Sequence, residues 1–440
     1  MGPGRRARAF AVLAVWGLVS AAIPASATPT APIGAVTPMT WRGCGTGFQC
    51  GTLTVPLDRA VPTGSTLDLS VIRTRARHPH ARIGSLVFNP GGPGAPAVSF
   101  LRSVAAAMPA ELRDRFDLVA FDPRGVGRSN PIKCESTLDP LFDQSFQPTT
   151  VESRAALVHA VTGLASACAA RNGALLSHVS TADTVQDLER LRLALGDARL
   201  SFVGYSYGTF LGASYANAYP DHVRAFVLDS PVDPTMTAAE VTLGQARGFE
   251  HALDDFLADC SARSACSFHH DGESARAYDR LRARAAAAPL PADHAGGRGL
   301  DQTRFDAAVL QELYFGRGAW PTLADALADA DRGDASSLLR LADAYVGRDA
   351  DGHDDHVLES FWAVTCLDGP VIGGVDAARA LELRAVSVAP RLGAFIVNNS
   401  LPCSVWPVPP VAAPGRLTAS GAPPITGPSR HVTAQNDSSA

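Results

Sequence analysis

Apolar residues in this chain fall first into short blocks separated by Gly- and Pro-rich breaks, and later into long helix-spaced runs. Gln49 to Asp58 and Thr66 to Arg75 alternate apolar and polar positions, which predicts two half-buried strands in an antiparallel start. Gly84 to Asn89, Phe116 to Phe121, Leu200 to Val203 and Val223 to Asp229 are largely apolar blocks, the pattern of strands covered on both faces. Thr181 to Leu195 carries helix-spaced apolar residues, with Thr181 or Asp183 as the expected cap and Gly196 as the stop. Residues 130–180 read as a helical excursion. Strands alternating with helices imply a mainly parallel α/β sheet with helices on both faces and ligand sites at the strand C-termini. The loops 90–94, 122–129, 204–208 and 229–234 would then open onto one crevice.

After Pro234 the pattern changes to Ala/Leu/Arg/Asp helical segments, broken by a Gly/His/Pro stretch at 289–300. The expected organisation is a signal segment at 1–27, a flexible leader at 28–40, a sheet core at 41–234, a helical cap at 235–407 and a final segment at 408–440. A cap of this kind covers the crevice and excludes water.

The 440 residues are 46% hydrophobic and 18% charged, ample for a large core. Arg5, Arg6 and Arg8, the apolar run Phe10 to Val19 and Ala25-Ser-Ala27 have the order of a secretory signal and its cleavage site. That run is too short for a permanent bilayer span, and no cysteine follows the cleavage site, so no stable membrane anchor is expected. Taking away the three arginines moves the formal charge from −5 to −8. With no basic patch, nucleic acid is not an expected partner. Export and eight cysteines favour disulfides, the simplest pairing being in order: 44–50, 134–168, 260–266 and 366–403. The Asp-rich stretches at 325–334 and 349–356 lack calcium-loop spacing and read as solvated faces, so neither a metal nor a cofactor is expected.

The chemistry concentrates at Gly204-Tyr-Ser-Tyr-Gly208, a G-x-S-x-G turn between an apolar strand and a helix pattern. Such a turn exposes Ser206 as a nucleophile and aims the Tyr207 amide at the oxyanion. The Pro90-Gly-Gly-Pro-Gly94 loop, after an upstream strand, is where the second oxyanion amide is expected, from Gly91 or Gly92. Asp122-Pro-Arg-Gly-Val-Gly-Arg-Ser129 is either an active-site wall or a structural turn built on Asp122 and Arg124.

Taken in order, these motifs resemble the secreted α/β-hydrolase peptidases of the tripeptidyl aminopeptidase type, relatives of the prolyl aminopeptidases. The matching pieces are Cys50-Gly-Thr-Leu-Thr-Val-Pro-Leu-Asp58, Asn89-Pro-Gly-Gly-Pro-Gly94, the 122–129 turn, Thr181-Ala-Asp-Thr-Val-Gln-Asp-Leu188, Gly204 to Thr209 and Leu228-Asp-Ser-Pro-Val-Asp-Pro234. Ala363-Val-Thr-Cys-Leu-Asp368 and Cys403-Ser-Val-Trp-Pro407 match more weakly. The resemblance implies a serine exopeptidase that releases short peptides from free N-termini through an acyl-enzyme on Ser206. It also implies cap acids for the substrate ammonium. Asp229 and Asp233, at a strand edge beside the crevice, are candidates, with a structural role as the alternative. Another acyl hydrolase, such as an esterase, and a non-catalytic exported peptide-binding protein are the competing readings.

The resembling family continues with an Asp-Pro-x-Thr-Pro-like turn and a Gly-His pair that supply the triad acid and base. Here Thr418 to Ile425 starts like that region and then diverges. His431 and Asp437 stand in reverse order in a polar tail, and Asp368 lies ahead of the expected strand. The triad Asp and His therefore have no identified residues. A frameshift, an early stop or an authentic divergent ending would each account for the switch, and activity is expected to be impaired.

Overall fold

In the computed structural model, the residues described are 36–293, 297–369, 372–411 and 417–423. The signal segment, most of the leader, His431 and Asp437 lie outside them.

The apolar blocks form one seven-stranded sheet: β1 (Arg42–Gly43), β2 (Gln49–Pro56), β3 (Thr66–Thr74), β4 (Gly84–Asn89), β5 (Phe116–Phe121), β6 (Leu200–Tyr205) and β7 (Val223–Asp229). Their spatial order is β1-β2-β3-β5-β4-β6-β7. β2 pairs antiparallel with β1 and β3, and β3 antiparallel with β5. The remaining pairs, β5–β4, β4–β6 and β6–β7, are parallel. The two-residue β1 is too short to leave a periodic signal, and the sequence pattern missed it.

Because side chains alternate across a strand, the central strands build two cores at once. Val87, Val119, Phe121 and Phe202 face helix Thr181–Leu195 and helix Tyr207–Ala218 on one side. Leu86, Phe88, Leu118 and Val203 face helix Ala97–Val104 on the other. Helix Thr181–Leu195 ends at Gly196 in the left-handed conformation (φ 75°), as expected. Its N-cap is Ser180, whose Oγ accepts from the Asp183 amide at 3.2 Å, in place of the expected Thr181 or Asp183. The expected boundary slipped because Ser180, Thr181 and Asp183 are all residue types that suit a cap.

After β7 come long helices, beginning with Ala238–Ala262, whose Thr237–Glu240 capping box fixes its start. Their apolar faces share one cluster with the 132–179 excursion: Leu157, Val161 and Leu164 lie in the same core as Leu253, Phe305, Leu327 and Trp362. The excursion thus packs with the later helices, although it leaves the sheet layer between β5 and β6. Disulfides join the cysteines in sequence order, 44–50, 134–168, 260–266 and 366–403. Among the described residues β7 pairs only with β6, and Val227 on it is 42% exposed.

Candidate active site

The chain turns from β6 into helix Tyr207–Ala218 at Ser206, which holds φ 52° and ψ −120°, a conformation few residues with a side chain adopt. Neighbouring backbone over-determines it. The Ser206 amide donates to the Asp229 carbonyl at 3.0 Å, and the Ser206 carbonyl accepts from the Thr209 amide at 2.8 Å and Thr209 Oγ1 at 2.6 Å. The serine itself is exposed at the end of the strand. Gly204 permits the turn, since a Cβ there would lie 2.3 Å from the Gly208 carbonyl oxygen.

The loop after β4 lies directly against this elbow. A Cβ on Gly91 (φ 95°) would sit 2.5 Å from the Tyr205 carbonyl oxygen and 3.2 Å from the Tyr207 amide nitrogen. The Gly91 amide donates to the Asn89 side-chain oxygen at 3.0 Å. The Gly92 amide has no such partner among the described residues, and the Tyr207 amide is in the first turn of its helix, where intrahelical acceptors are missing. Ser206 therefore stands beside unsatisfied backbone donors and a helix N-terminus, an arrangement suited to developing negative charge.

The 122–129 turn is structural. Asp122 accepts from the Val98 amide at 2.8 Å and the Arg128 amide at 2.9 Å, and burial pushes its pKa up. Arg124 turns inward to a bidentate pair with Asp187, 2.7 Å on each arm. At the far side of the elbow, Asp229 is half-buried and accepts from Ser230 Oγ at 3.2 Å. Asp233 is exposed, its carboxylate bound by Thr235 at 2.8 and 2.7 Å, which lowers its pKa.

Thr181, which was not expected at the site, and Asp368, a candidate only for the triad acid, both belong to it. Thr181 Oγ1 contacts the Tyr207 hydroxyl and donates to Asp368 Oδ2 at 2.5 Å, while the Thr181 amide donates to Asp368 Oδ1 at 2.6 Å. Asp368 thus engages the elbow through Thr181. Both stand in stretches that carry the family resemblance, which was the available signal. Seven of the ten described histidines have other partners: His78 lies on Asp114, His222 on Glu189, His251 on Asp255, His269 on the Cys260 carbonyl, His270 on Asp331, His353 on Asp349 and His356 on Glu359. No hydrogen bond joins a histidine to Ser206 among the described residues.

Comparison with known proteins agrees with this geometry. Residues 84–284 match the family described as alpha/beta hydrolase fold. The serine protease Hip1 of Mycobacterium tuberculosis (strain H37Rv) is 34% identical over 397 residues, covering 86% of this chain and 75% of the relative. Carboxylesterase B of the same strain is 35% identical over 422 residues, covering 90% and 79%. The tripeptidyl aminopeptidase of Streptomyces lividans is 31% identical over 406 residues, covering 88% and 73%.

Proposed function

The chain belongs to the α/β-hydrolase fold family, as a serine hydrolase, and on that premise we propose that it is an exported aminopeptidase lineage member acting on free peptide N-termini. Ser206 forms the acyl-enzyme, and the amides of Tyr207 and Gly92 hold the tetrahedral oxyanion, with Gly91 as the packing piece that seats the loop on the elbow. The observation that carries this reading is the exposed Ser206 at φ 52° with the glycine loop pressed against it. The helices after β7 act as the cap over the crevice, and Asp229 and Asp233 at its rim attract the substrate ammonium.

Serine acylation needs a base for the Oγ proton and an acid to orient that base. Among the described residues neither is found. Nucleophile, oxyanion hole and binding surface alone support roughly 10³–10⁴-fold catalysis over water, orders of magnitude below a complete triad. The test compares a free-amine peptide, its N-acetylated form and a simple ester, with Ser206→Ala as control. Preference for the free amine, lost in Ser206→Ala, supports the aminopeptidase. Similarity to a carboxylesterase favours a second reading. Ester cleavage with no preference for the free amine would establish it and sink the first.

A further inference from the structure

Asp368 ends helix Val357–Asp368, and its carboxylate sits on the first amide of helix Thr181–Leu195. An acid at a helix N-terminus completes an unsatisfied donor and faces the positive end of the helix dipole. The same carboxylate accepts from the Thr181 hydroxyl, and that hydroxyl meets the Tyr207 phenolic hydroxyl. Thr181 is buried, while Asp368 and Tyr207 keep a little surface toward solvent. The other end of helix Val357–Asp368 presses on the oxyanion loop: a Cβ on Gly94 would lie 2.7 Å from the Val357 carbonyl oxygen. Ser360 Oγ also donates to the Gly125 carbonyl at 2.7 Å. One helix from beyond β7 therefore reaches both halves of the oxyanion apparatus, the glycine loop directly and Tyr207 through Thr181.

We propose that Asp368 is a positioning residue for the oxyanion hole, holding the Tyr207 ring through Thr181 and so fixing the Tyr207 amide beside Ser206. The inference rests on the reading of Ser206 as an acyl-transfer nucleophile. With Asp368 ionised, the hydrogen bonds run in one direction, from the Tyr207 hydroxyl to Thr181 Oγ1 and from Thr181 to the carboxylate. Neutralising Asp368 weakens both acceptors at once. The charged groups near it are few. Asp183, on the same helix as Thr181, is paired with Arg59 at 2.7 Å and disfavours a second negative charge. From the elbow helix the Tyr207 hydroxyl faces it across Thr181 Oγ1, and burial pushes that hydroxyl's own pKa far up. Burial, against the pull of the two Thr181 bonds, brings Asp368 to about 7. The chain of bonds is thus poised to change near neutral pH.

The experiment follows the rate of Ser206 modification by a fluorophosphonate and by an activated aryl ester between pH 5.5 and 8.5, with thermal melts confirming the fold. Wild type is expected to speed up about tenfold through pH 7, the scale of a sub-ångström misplacement of one catalytic donor. Asp368→Asn is expected to be flat and about tenfold slower at pH 8. Thr181→Val and Tyr207→Phe should behave alike, and Thr181→Ser should recover wild-type rates within about twofold. Persistence of the pH 7 step in Asp368→Asn, or wild-type rates in that variant, overturns the proposal. An unchanged ester rate with a raised KM for free-amine peptides alone also overturns it, by making Asp368 a substrate contact. If wild type takes no label on Ser206 at any pH, the acyl-transfer reading itself fails, an outcome separate from these.

Discussion

Replacing Arg124 with methionine tests whether the 122–129 turn is structural. Arg124 and Asp187 are 1% exposed or less, so solvent screens their interaction weakly. The guanidinium makes five hydrogen bonds: two to Asp187, and one each to the carbonyls of Pro56 (3.1 Å), Leu57 (2.9 Å) and His178 (2.9 Å). Methionine matches the stem but leaves the Asp187 carboxylate buried without its cation. Breaking a buried pair from one side costs about 3–5 kcal/mol, a large share of the roughly 5–15 kcal/mol typical of a folded domain. Removing both partners together, as in Arg124→Met with Asp187→Leu, should recover most of that loss, because the expensive species is the orphaned charge. Arg124→Lys keeps the charge and loses the fork, so it should fall between. Urea unfolding of wild type, Arg124→Met, Asp187→Leu and the double variant completes a double-mutant cycle with an expected coupling of about 3 kcal/mol or more. A single Arg124→Met variant within 1 kcal/mol of wild type, or a double variant no better than the single, would refute the reasoning.

Other perturbations follow from the same structure. Gly204→Ala drives a Cβ into the Gly208 carbonyl, backbone against backbone, so fluorophosphonate labelling of Ser206 should fall at least tenfold even where the variant stays folded by circular dichroism. Ser180→Ala removes the cap of helix Thr181–Leu195 and should cost about 1 kcal/mol in urea, a neutral result contradicting the capping assignment. Removing the Cys134–Cys168 bridge, 34 residues apart, should cost about 4 kcal/mol, against about 2 kcal/mol for the six-residue Cys44–Cys50 bridge, on loop entropy alone. Asp368 is raised from an ordinary carboxylate value to about 7, so the folded state holds its proton where the unfolded chain has lost it. Its contribution to stability is therefore full below about pH 4 and declines as pH rises toward 7. Asp368→Asn should make the decline shallower across that window in pH-dependent melts.

The strands were legible because their chemistry is local. Phe116–Phe121 and Val223–Asp229 appear with the bounds expected of largely apolar blocks, and the Gly196 stop needs only a residue tolerant of positive φ. The elbow was legible for the same reason, its glycines and serine being adjacent in sequence. What escaped is what folding assembles from distant places. Thr181 and Asp368 lie 187 positions apart, and no periodicity joins them. The division of roles between Gly91 and Gly92 depends on where the Asn89 side chain turns. The placement of the 130–180 excursion with the later helices depends on which apolar face it meets, not on its own pattern.

The reading of Ser206 as an acyl-transfer nucleophile beside a ready oxyanion hole is tested most directly by intact-mass and peptide mapping after fluorophosphonate treatment, alongside Ser206→Ala. The account predicts a single adduct, on Ser206, forming slowly and absent in Ser206→Ala. An adduct on another residue, or none after prolonged exposure of folded protein, would contradict it.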